Sequence, residues 1–213
     1  MIFACKAILF DLDGILVDST PAVARVWARW AADHGIEPAL AIAQAHGRRS
    51  IETIRAIAPQ MNAEKENLAV EQMEIEDKEG VTAIPGAARL LNSLPQDRFA
   101  IVTSATTGLA RARLGYAGLP LPRNLVTADD VTKGKPSPEP YLKGAALLRI
   151  APRDCLVFED APAGIASAHA AGMQVIAIPT TYPAAELREA NAIVSSLDDV
   201  QVQVLQNSLR LGF

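Results

Sequence analysis

Short apolar segments alternate with helical patterns through the second half of this 213-residue chain, and that alternation constrains the fold more than any other feature. The predicted elements are a helix at 87–94, a strand at 99–103, a helix at 107–117, a strand at 125–127, a helix at 138–149, a strand at 155–158, a helix at 163–171 and a strand at 175–178. Parallel strands need long crossover connections, which are usually helices that cover both faces of the sheet. The sequence therefore predicts an α/β fold with a doubly wound, Rossmann-like parallel sheet.

The end of the chain continues this pattern with weaker signals. We predict a helix near 184–190 and a short strand at 192–194. For 198–213 we predict a final helix packed on the sheet.

The first apolar segment, Ala7–Phe10, carries no charge and is short enough to be a buried strand of the same sheet. Asp11 and Asp13 follow it, and then Gly14, where the backbone is expected to turn. Two nearby carboxylates repel each other when both are ionised, so the pair indicates either a bound cation or one protonated carboxyl group. Taken alone, the stretch is also compatible with an acidic turn that has no chemical role.

Residues 20–80 contain helical patterns and nothing that indicates a strand. The helices are predicted at 21–35, 38–45, 49–58 and 63–79. We therefore assign 1–16 and 82–213 to the α/β core and 17–81 to an inserted, all-helical cap. Ligands of open α/β sheets bind beyond the carboxyl ends of the strands, so a cap inserted after the first strand is expected to cover that site.

Three later polar stretches are candidates for the same site. Ser104 follows a predicted strand in a turn of small residues, where it offers a hydroxyl group and backbone N–H groups to an anion, although a serine before a helix is most often only an N-cap. Lys135 lies between a glycine and a proline, so the chain is stiff enough to direct its ammonium group at a phosphate; the alternative is a solvated lysine. Glu159 and Asp160 follow another predicted strand.

A second acidic pair beside the first makes a site with too much negative charge to remain unpaired. Mg²⁺ prefers a few carboxylates, water and a phosphate oxygen as ligands, and these residues supply such a set. The sequence therefore predicts Mg²⁺ as the cofactor.

Composition narrows the possible partners and the compartment. The net charge is -4 and no basic run occurs, which argues against nucleic acid as a partner. No apolar run approaches the roughly 20 residues that cross a bilayer, and no signal segment opens the chain, so we expect a cytoplasmic protein without a membrane partner. Cys5 and Cys155 are interpreted as reduced core residues. We expect a monomer or a weak homodimer.

The order of these motifs resembles that of the haloacid dehalogenase superfamily, over nearly the whole chain. The matching residues are Asp11-x-Asp13-Gly14, Ser104, Lys135 and Glu159-Asp160. The helical insert is similar to the small cap of the subgroup that contains sugar phosphatases, phosphoglycolate phosphatase and β-phosphoglucomutase. One departure is Ile15, which stands where the family commonly has threonine.

The resemblance implies a division of roles. Asp11 would be the nucleophile that forms an aspartyl-phosphate, and Asp13 would protonate the leaving oxygen and then activate water. Ser104 and Lys135 would bind the phosphoryl group. The resemblance further implies a Mg²⁺ site made of the Asp11 carboxylate, the Asp13 backbone carbonyl, Asp160 and, as a possible fourth ligand, Glu159.

A glycine-centred break between two cap helices offers candidates for substrate specificity. They are His46, Gly47 and Arg48, although isolated polar residues on a helical domain are more often only solvated. In the subgroup, the corresponding loop reaches into the site and contacts the leaving group of the substrate.

The predicted function is Mg²⁺-dependent hydrolysis of a small phosphorylated metabolite, a sugar or polyol phosphate. The alternative is a phosphomutase of the β-phosphoglucomutase type, which would need the same core residues but would have to keep water from the aspartyl-phosphate. A non-catalytic sugar-phosphate sensor is disfavoured because both Asp11 and Asp13 are present. A dehalogenase is disfavoured because Lys135 and the second acidic pair suit phosphate and Mg²⁺ better than a halide.

Overall fold

The computed structural model describes all 213 residues, and a six-stranded parallel sheet lies at its centre. The strands are β1 (Ile2–Cys5), β2 (Ala7–Phe10), β3 (Val17–Asp18), β4 (Thr82–Ala83), β5 (Phe99–Val102), β6 (Leu125–Val126), β7 (Cys155–Glu159), β8 (Gln174–Ala177), β9 (Ala192–Ile193), β10 (Gln201–Val204) and β11 (Leu209–Gly212). The helices are α1 (Thr20–Asp33), α2 (Pro38–Ala45), α3 (Ser50–Ile57), α4 (Ala63–Glu76), α5 (Ala87–Ser93), α6 (Thr107–Tyr116), α7 (Glu139–Leu148) and α8 (Pro162–Ala170).

The central sheet has the strand order β6-β5-β2-β7-β8-β9, and each neighbouring pair is parallel. Side chains alternate across β2, so Ile8 and Phe10 face one hydrophobic layer and Ala7 and Leu9 face the other. Helices α5 and α6 contribute to the first layer, and α7 and α8 contribute to the second. The predicted doubly wound parallel sheet is therefore confirmed.

The predicted helix at 198–213 is wrong. Strands β10 and β11 form an antiparallel hairpin there, and β11 also pairs with β1, where we predict no strand from the sequence. Leu209 and Leu211 are buried while Arg210 between them is exposed, which is the two-residue period of a strand. The pairing with β1 joins the two ends of the chain, and a local pattern carries no information on such a contact.

The helix predicted near 184–190 is also wrong in extent, since only a single 3-10 turn forms there, at Ala184–Glu186. The predicted helices of the second half otherwise form within one or two residues of their expected bounds. None of the eight α-helices has both the length and the apolar character that crossing a membrane requires.

Helices α1 to α4 follow one another without an intervening strand, between the short antiparallel strands β3 and β4. They have a hydrophobic cluster of their own, in which Trp27, Trp30 and Ile54 are almost fully buried. The β3–β4 ribbon is thus the place where the chain leaves the α/β core and returns to it.

Candidate active site

The polar residues that the sequence singles out converge beyond the carboxyl ends of β2, β5 and β7. Because these three strands are adjacent and parallel, their carboxyl ends lie at one edge of the sheet. A pocket between this edge and the helical insert is lined, among others, by Asp11, Asp13, His46, Gly47, Arg48, Ser104 and Asp160. Lys135 and Glu159 lie buried behind Asp11. All the sequence-predicted site residues therefore meet in one region.

A buried lysine connects the two acidic pairs. Lys135 Nζ lies 2.7 Å from Asp11 Oδ1 and 2.6 Å from Glu159 Oε1. It also donates to the backbone carbonyl of Val102, at the end of β5, over 3.2 Å. Burial disfavours the charged amine, but the attraction of Asp11 and Glu159 outweighs this and raises the pKa of Lys135. Lys135 is thus a fixed positive charge beside the Asp11 carboxylate.

The site has more buried negative charge than Lys135 can offset. Ligand atoms of Asp11, Glu159 and Asp160 lie within 4.8 Å of one another, and all three residues are buried. Burial raises the pKa of Asp11 to about 7; Lys135 opposes this shift, and Glu159 and Asp13 add to it. Burial, together with Glu159 and Asp11, also raises the pKa of Asp160 well above its usual value. Electrostatics therefore favour binding of a cation at this point.

Glu159 has partners on both carboxylate oxygens. Oε1 accepts hydrogen bonds from Lys135 and from the hydroxyl group of Tyr141, the latter over 2.8 Å. Oε2 accepts from the backbone N–H groups of Asp160 and Ala161, over 3.0 and 3.1 Å. A Cβ atom on Gly164 would lie only 1.7 Å from Oε1, so glycine is required for α8 to start this close to the carboxylate. These contacts position Glu159 to orient Lys135.

Asp13 makes no contact with Lys135, although it is only two residues from Asp11. Its Oδ1 accepts a hydrogen bond from Ser19 Oγ over 2.7 Å, and its Oδ2 lies 2.8 Å from Arg113 Nη1. The turn depends on Gly14, which has φ of 80° and at which a Cβ atom would lie 1.7 Å from Asp160 Oδ2. The two carboxylates of the motif therefore have separate environments.

Arg113 is the main site residue that no sequence motif indicates. It lies in the last turn of α6, is 7% exposed and contacts both Asp13 and Glu74 of the cap, the latter over 3.3 Å. Nothing in the local sequence distinguishes it from Arg111, which lies two positions earlier on the same helix and is exposed. Only the packing of α4 against α6 identifies Arg113.

The glycine-centred loop of the cap reaches this edge of the sheet. The carbonyl group of Gly47 accepts a hydrogen bond from Ser104 Oγ over 3.4 Å, and Arg48 lies exposed at the rim of the pocket. His46 Nδ1 lies 2.9 Å from the carbonyl oxygen of Ile42 and therefore carries the proton. His46 Nε2 is shielded from solvent and has no hydrogen-bond partner in the chain. Burial lowers the pKa of His46, so the ring is neutral and Nε2 is a hydrogen-bond acceptor.

The residues that follow this loop, at the start of α3, contact the segment that carries Lys135. Arg49 donates to the backbone carbonyls of Val131 and Thr132 over 3.4 and 3.3 Å. Glu52 accepts from the backbone N–H group of Gly134, next to Lys135, over 3.4 Å. Cap and core are thus in direct contact around the pocket.

Fold and site together define a class of protein: a hydrolase with a doubly wound core, an acidic site at the strand ends and a helical cap. The chain belongs to the haloacid dehalogenase-like hydrolase family, whose sequence profile matches residues 8–178. The resemblance found in the motifs is therefore confirmed.

Comparison with individual proteins agrees with this assignment. The chain is 45% identical to hexitol phosphatase A of Escherichia coli (strain K12), over 93% of this chain and 94% of that protein. It is 37% identical to glycerol-1-phosphate phosphohydrolase 2 of Saccharomyces cerevisiae, over 92% of this chain and 84% of that protein. The crystal structure of a hydrolase from Pseudomonas syringae superposes with a TM-score of 0.82 at 26% identity, covering 92% of this chain and 95% of the other.

Proposed function

We propose that this protein is a Mg²⁺-dependent phosphatase that hydrolyses a small polyol or sugar phosphate through an aspartyl-phosphate intermediate. The observation that carries the proposal is the buried Asp11 carboxylate, which lines the pocket and is held by Lys135 beside a second acidic pair. The relatives at 45% and 37% identity are both named as phosphatases of polyol phosphates, which supports the same class of substrate.

The proposed reaction has two steps, and this chain's residues divide them. Asp11 attacks phosphorus and forms an acyl phosphate, while Asp13 gives a proton to the departing oxygen of the substrate. In the second step Asp13 takes a proton from water, which attacks the acyl phosphate and releases inorganic phosphate. Lys135 and Ser104 bind the phosphoryl oxygens and stabilise their charge, which is where most of the catalysis of phosphoryl transfer lies.

We further propose that the carboxylates of Asp11 and Asp160 and the backbone carbonyl of Asp13 hold Mg²⁺. An all-oxygen donor set with two carboxylates suits this ion, and the uncompensated negative charge of the site favours its binding. Bound Mg²⁺ would neutralise charge on the phosphoryl group and hold it in line for attack. The contacts of both Glu159 oxygens with other groups support a role in holding Lys135 rather than a direct place on the metal.

Substitution Asp160→Asn is expected to have opposite effects on the stability of the metal-free protein and on the stabilisation by Mg²⁺. Because it removes a buried carboxylate that is repelled by its neighbours, the metal-free variant should unfold at a higher temperature than the metal-free wild type. Mg²⁺ at 100 times its Kd should stabilise the wild type by about 2.7 kcal/mol and the variant by much less. Thermal unfolding with EDTA and with Mg²⁺ measures both effects, and the exposed Asp199→Asn is the matched control. Equal stabilisation of wild type and Asp160→Asn would exclude Asp160 as a ligand.

The lining of the pocket beyond Asp13 supports a neutral, hydroxyl-bearing leaving group. His46 Nε2 is an acceptor without a partner, and Glu71 and Glu74 add two carboxylates to the same lining. The one buried cation on this side, Arg113, is already paired with two carboxylates. Hydroxyl groups can donate to such acceptors. A second phosphate or a carboxylate on the leaving group would be repelled by Glu71 and would have only the exposed Arg48 at the rim to offset its charge. We propose that His46, Gly47 and Arg48 determine specificity together with these residues.

Substitution His46→Leu is expected to raise KM for a polyol phosphate by roughly 2- to 12-fold, the value of one neutral hydrogen bond of about 0.5–1.5 kcal/mol. The KM for p-nitrophenyl phosphate should stay unchanged, because its leaving group has no hydroxyl group to donate. His169→Leu is the matched control, since His169 contacts Glu189 on the surface. Steady-state kinetics with both substrates measure these KM values. An equal rise in KM for both substrates would contradict a role of His46 in specificity for the leaving group.

The direct experiment on the proposed function is release of inorganic phosphate from a panel of polyol, sugar and carboxylate-bearing phosphates, with Mg²⁺ and with EDTA. We expect release that depends on Mg²⁺ and favours the neutral leaving groups. The phosphomutase alternative predicts a different product, since a hexose 1-phosphate would then give hexose 6-phosphate without free phosphate. No release from any substrate of the panel would contradict the proposal.

A further inference from the structure

Arg113 is a buried cation at the junction of core and cap, and the proposed reaction leaves it without a part. It belongs to the core helix α6, and α4 of the cap covers it. Burial opposes its charge, but the attraction of Asp13 and Glu74 outweighs burial and raises the pKa of Arg113, so the guanidinium group is charged. A charge is costly to bury, so its position between two carboxylates points to a specific role.

Arg113 and Ser19 hold the Asp13 carboxyl group from two sides. Ser19 Oγ donates to Oδ1 over 2.7 Å, and Arg113 Nη1 contacts Oδ2 over 2.8 Å. One contact on each oxygen determines the plane of the carboxyl group as well as its position. Each carboxylate oxygen accepts about two hydrogen bonds, so a position on Asp13 remains for an oxygen atom of the leaving group or of water.

Glu74 holds the other side of the guanidinium group. Its Oε2 lies 3.3 Å from Arg113 Nη2, and its Oε1 accepts a hydrogen bond from the indole N–H group of Trp27 over 3.1 Å. Glu74 and Trp27 both belong to the cap, on α4 and α1. The planar guanidinium group has donors on separate nitrogens, so it can contact a core carboxylate and a cap carboxylate at the same time, which an ammonium group does less well.

We propose that Arg113 is a positioning residue that directs the Asp13 carboxyl group at the leaving-group oxygen, with Glu74 holding the guanidinium group in the required orientation. In the step concerned, the bond between Asp11 and phosphorus forms and the bond between phosphorus and the leaving oxygen breaks. The proton of Asp13 moves to that oxygen, and Asp13 is left as a carboxylate. The inference rests on the proposed phosphatase function and adds a residue to it.

The leaving group of the substrate provides a readout that a purely structural role would not change. An alkoxide from a polyol phosphate needs a proton in order to depart, whereas p-nitrophenolate departs without one, so only the first depends on a well-placed acid. The ratio kcat/KM covers the steps up to departure of the leaving group, and comparing it for the two substrates isolates the proton transfer.

Substitution Arg113→Met is expected to lower kcat/KM for glycerol 1-phosphate by roughly 100-fold, since a small misplacement of a catalytic group has such an effect. For p-nitrophenyl phosphate we expect a loss of less than about 10-fold. Arg113→Lys keeps the charge but reaches one carboxylate at a time, and Glu74→Gln keeps a hydrogen-bond acceptor without the charge. Both should show the same preference at smaller amplitude. The exposed Arg111→Met on the same helix is the control and should change neither value.

An equal loss on both substrates, or no loss, would overturn the positioning role of Arg113. If Arg113→Met fails to fold, the two substrates are compared in Arg113→Lys and Glu74→Gln, after circular dichroism has shown that these are folded. A wild-type protein that hydrolyses neither substrate contradicts the proposed function itself. A wild-type protein that hydrolyses both, with variants that keep its ratio, contradicts only the inference on Arg113.

Discussion

Substitution Asp11→Asn is expected to lower kcat by roughly 10⁴-fold or more, because it removes the nucleophile while the rest of the site stays in place. The asparagine side chain has nearly the same shape, and Lys135 keeps its contact with Glu159, so the variant should fold. Phosphate release from a polyol phosphate measures the loss. Acid-quenched samples of the wild type analysed by mass spectrometry should carry a phosphoryl group on the peptide that contains residue 11, and the variant should carry none.

Two control variants distinguish loss of the nucleophile from loss of the metal and from a general effect of removing a carboxylate. Asp33→Asn alters an exposed aspartate on α1 and should leave kcat unchanged. Asp160→Asn weakens the proposed metal site but keeps the proposed nucleophile, so raising the Mg²⁺ concentration should recover part of its activity, whereas Asp11→Asn should stay inactive at every concentration. Turnover by Asp11→Asn at a rate near that of the wild type would contradict the covalent mechanism.

Substitution Lys135→Met is expected to destabilise the metal-free protein by about 3–5 kcal/mol, the usual cost of removing one partner from a buried ion pair. It leaves Asp11, Glu159 and Asp160 buried without the cation that lies 2.7 and 2.6 Å from the first two. Activity should fall by at least roughly 100-fold, since a fixed positive charge is lost from the phosphoryl site. Urea unfolding with and without Mg²⁺ measures the stability, and bound Mg²⁺ should restore part of it.

The neighbouring Lys133→Met is the matched control for this experiment, because Lys133 is exposed and its side chain makes no ion pair. The double variant Lys135→Met with Glu159→Gln removes one of the carboxylates left without a partner. It should recover part of the lost stability while staying inactive. A Lys135→Met protein as stable as the wild type, or a double variant less stable than the single one, would contradict the role of Lys135 as the charge that makes this acidic cluster compatible with folding.

The sequence alone predicts the parallel sheet because each of its strands and helices has a local signal. The run Ala7–Phe10 is apolar throughout, as a strand buried on both faces must be, and the hydrophobic period changes to that of a helix in each crossover. The prediction fails at 198–213, where we predict a helix. Apolar and polar residues alternate there at 200–204 and 209–211, which is the period of a strand, and β11 is held as a strand by pairing with β1, nearly the whole chain length away.

In the candidate site, too, local sequence signals predict some features and contacts between distant segments decide the others. Most candidate residues could be predicted from the sequence because each lies in a short motif, either at or soon after a predicted strand or in a stiff turn. Parallel strands bring such positions to one edge of the sheet. These residues are Asp11, Asp13, Ser104, Lys135, Glu159 and Asp160. The different environments of Asp13 and Glu159 could not be predicted from the sequence. They depend on which groups from distant segments occupy each carboxylate oxygen, such as Tyr141 on Glu159.

What the sequence by itself determined is therefore the fold class, the family and the set of candidate site residues, since these depend on local periodicity and on residue types at motif positions. Only the tertiary structure decided that Arg113 pairs with Asp13 and that His46 directs a free acceptor nitrogen into the pocket lining. Arg113 and Asp13 are 100 positions apart, and their contact exists only because α4 of the cap packs against α6 of the core. A helical arginine has the same local signal whether it faces solvent or a buried partner such as the Asp13 carboxylate, and the packing of the helices decides which of the two it contacts.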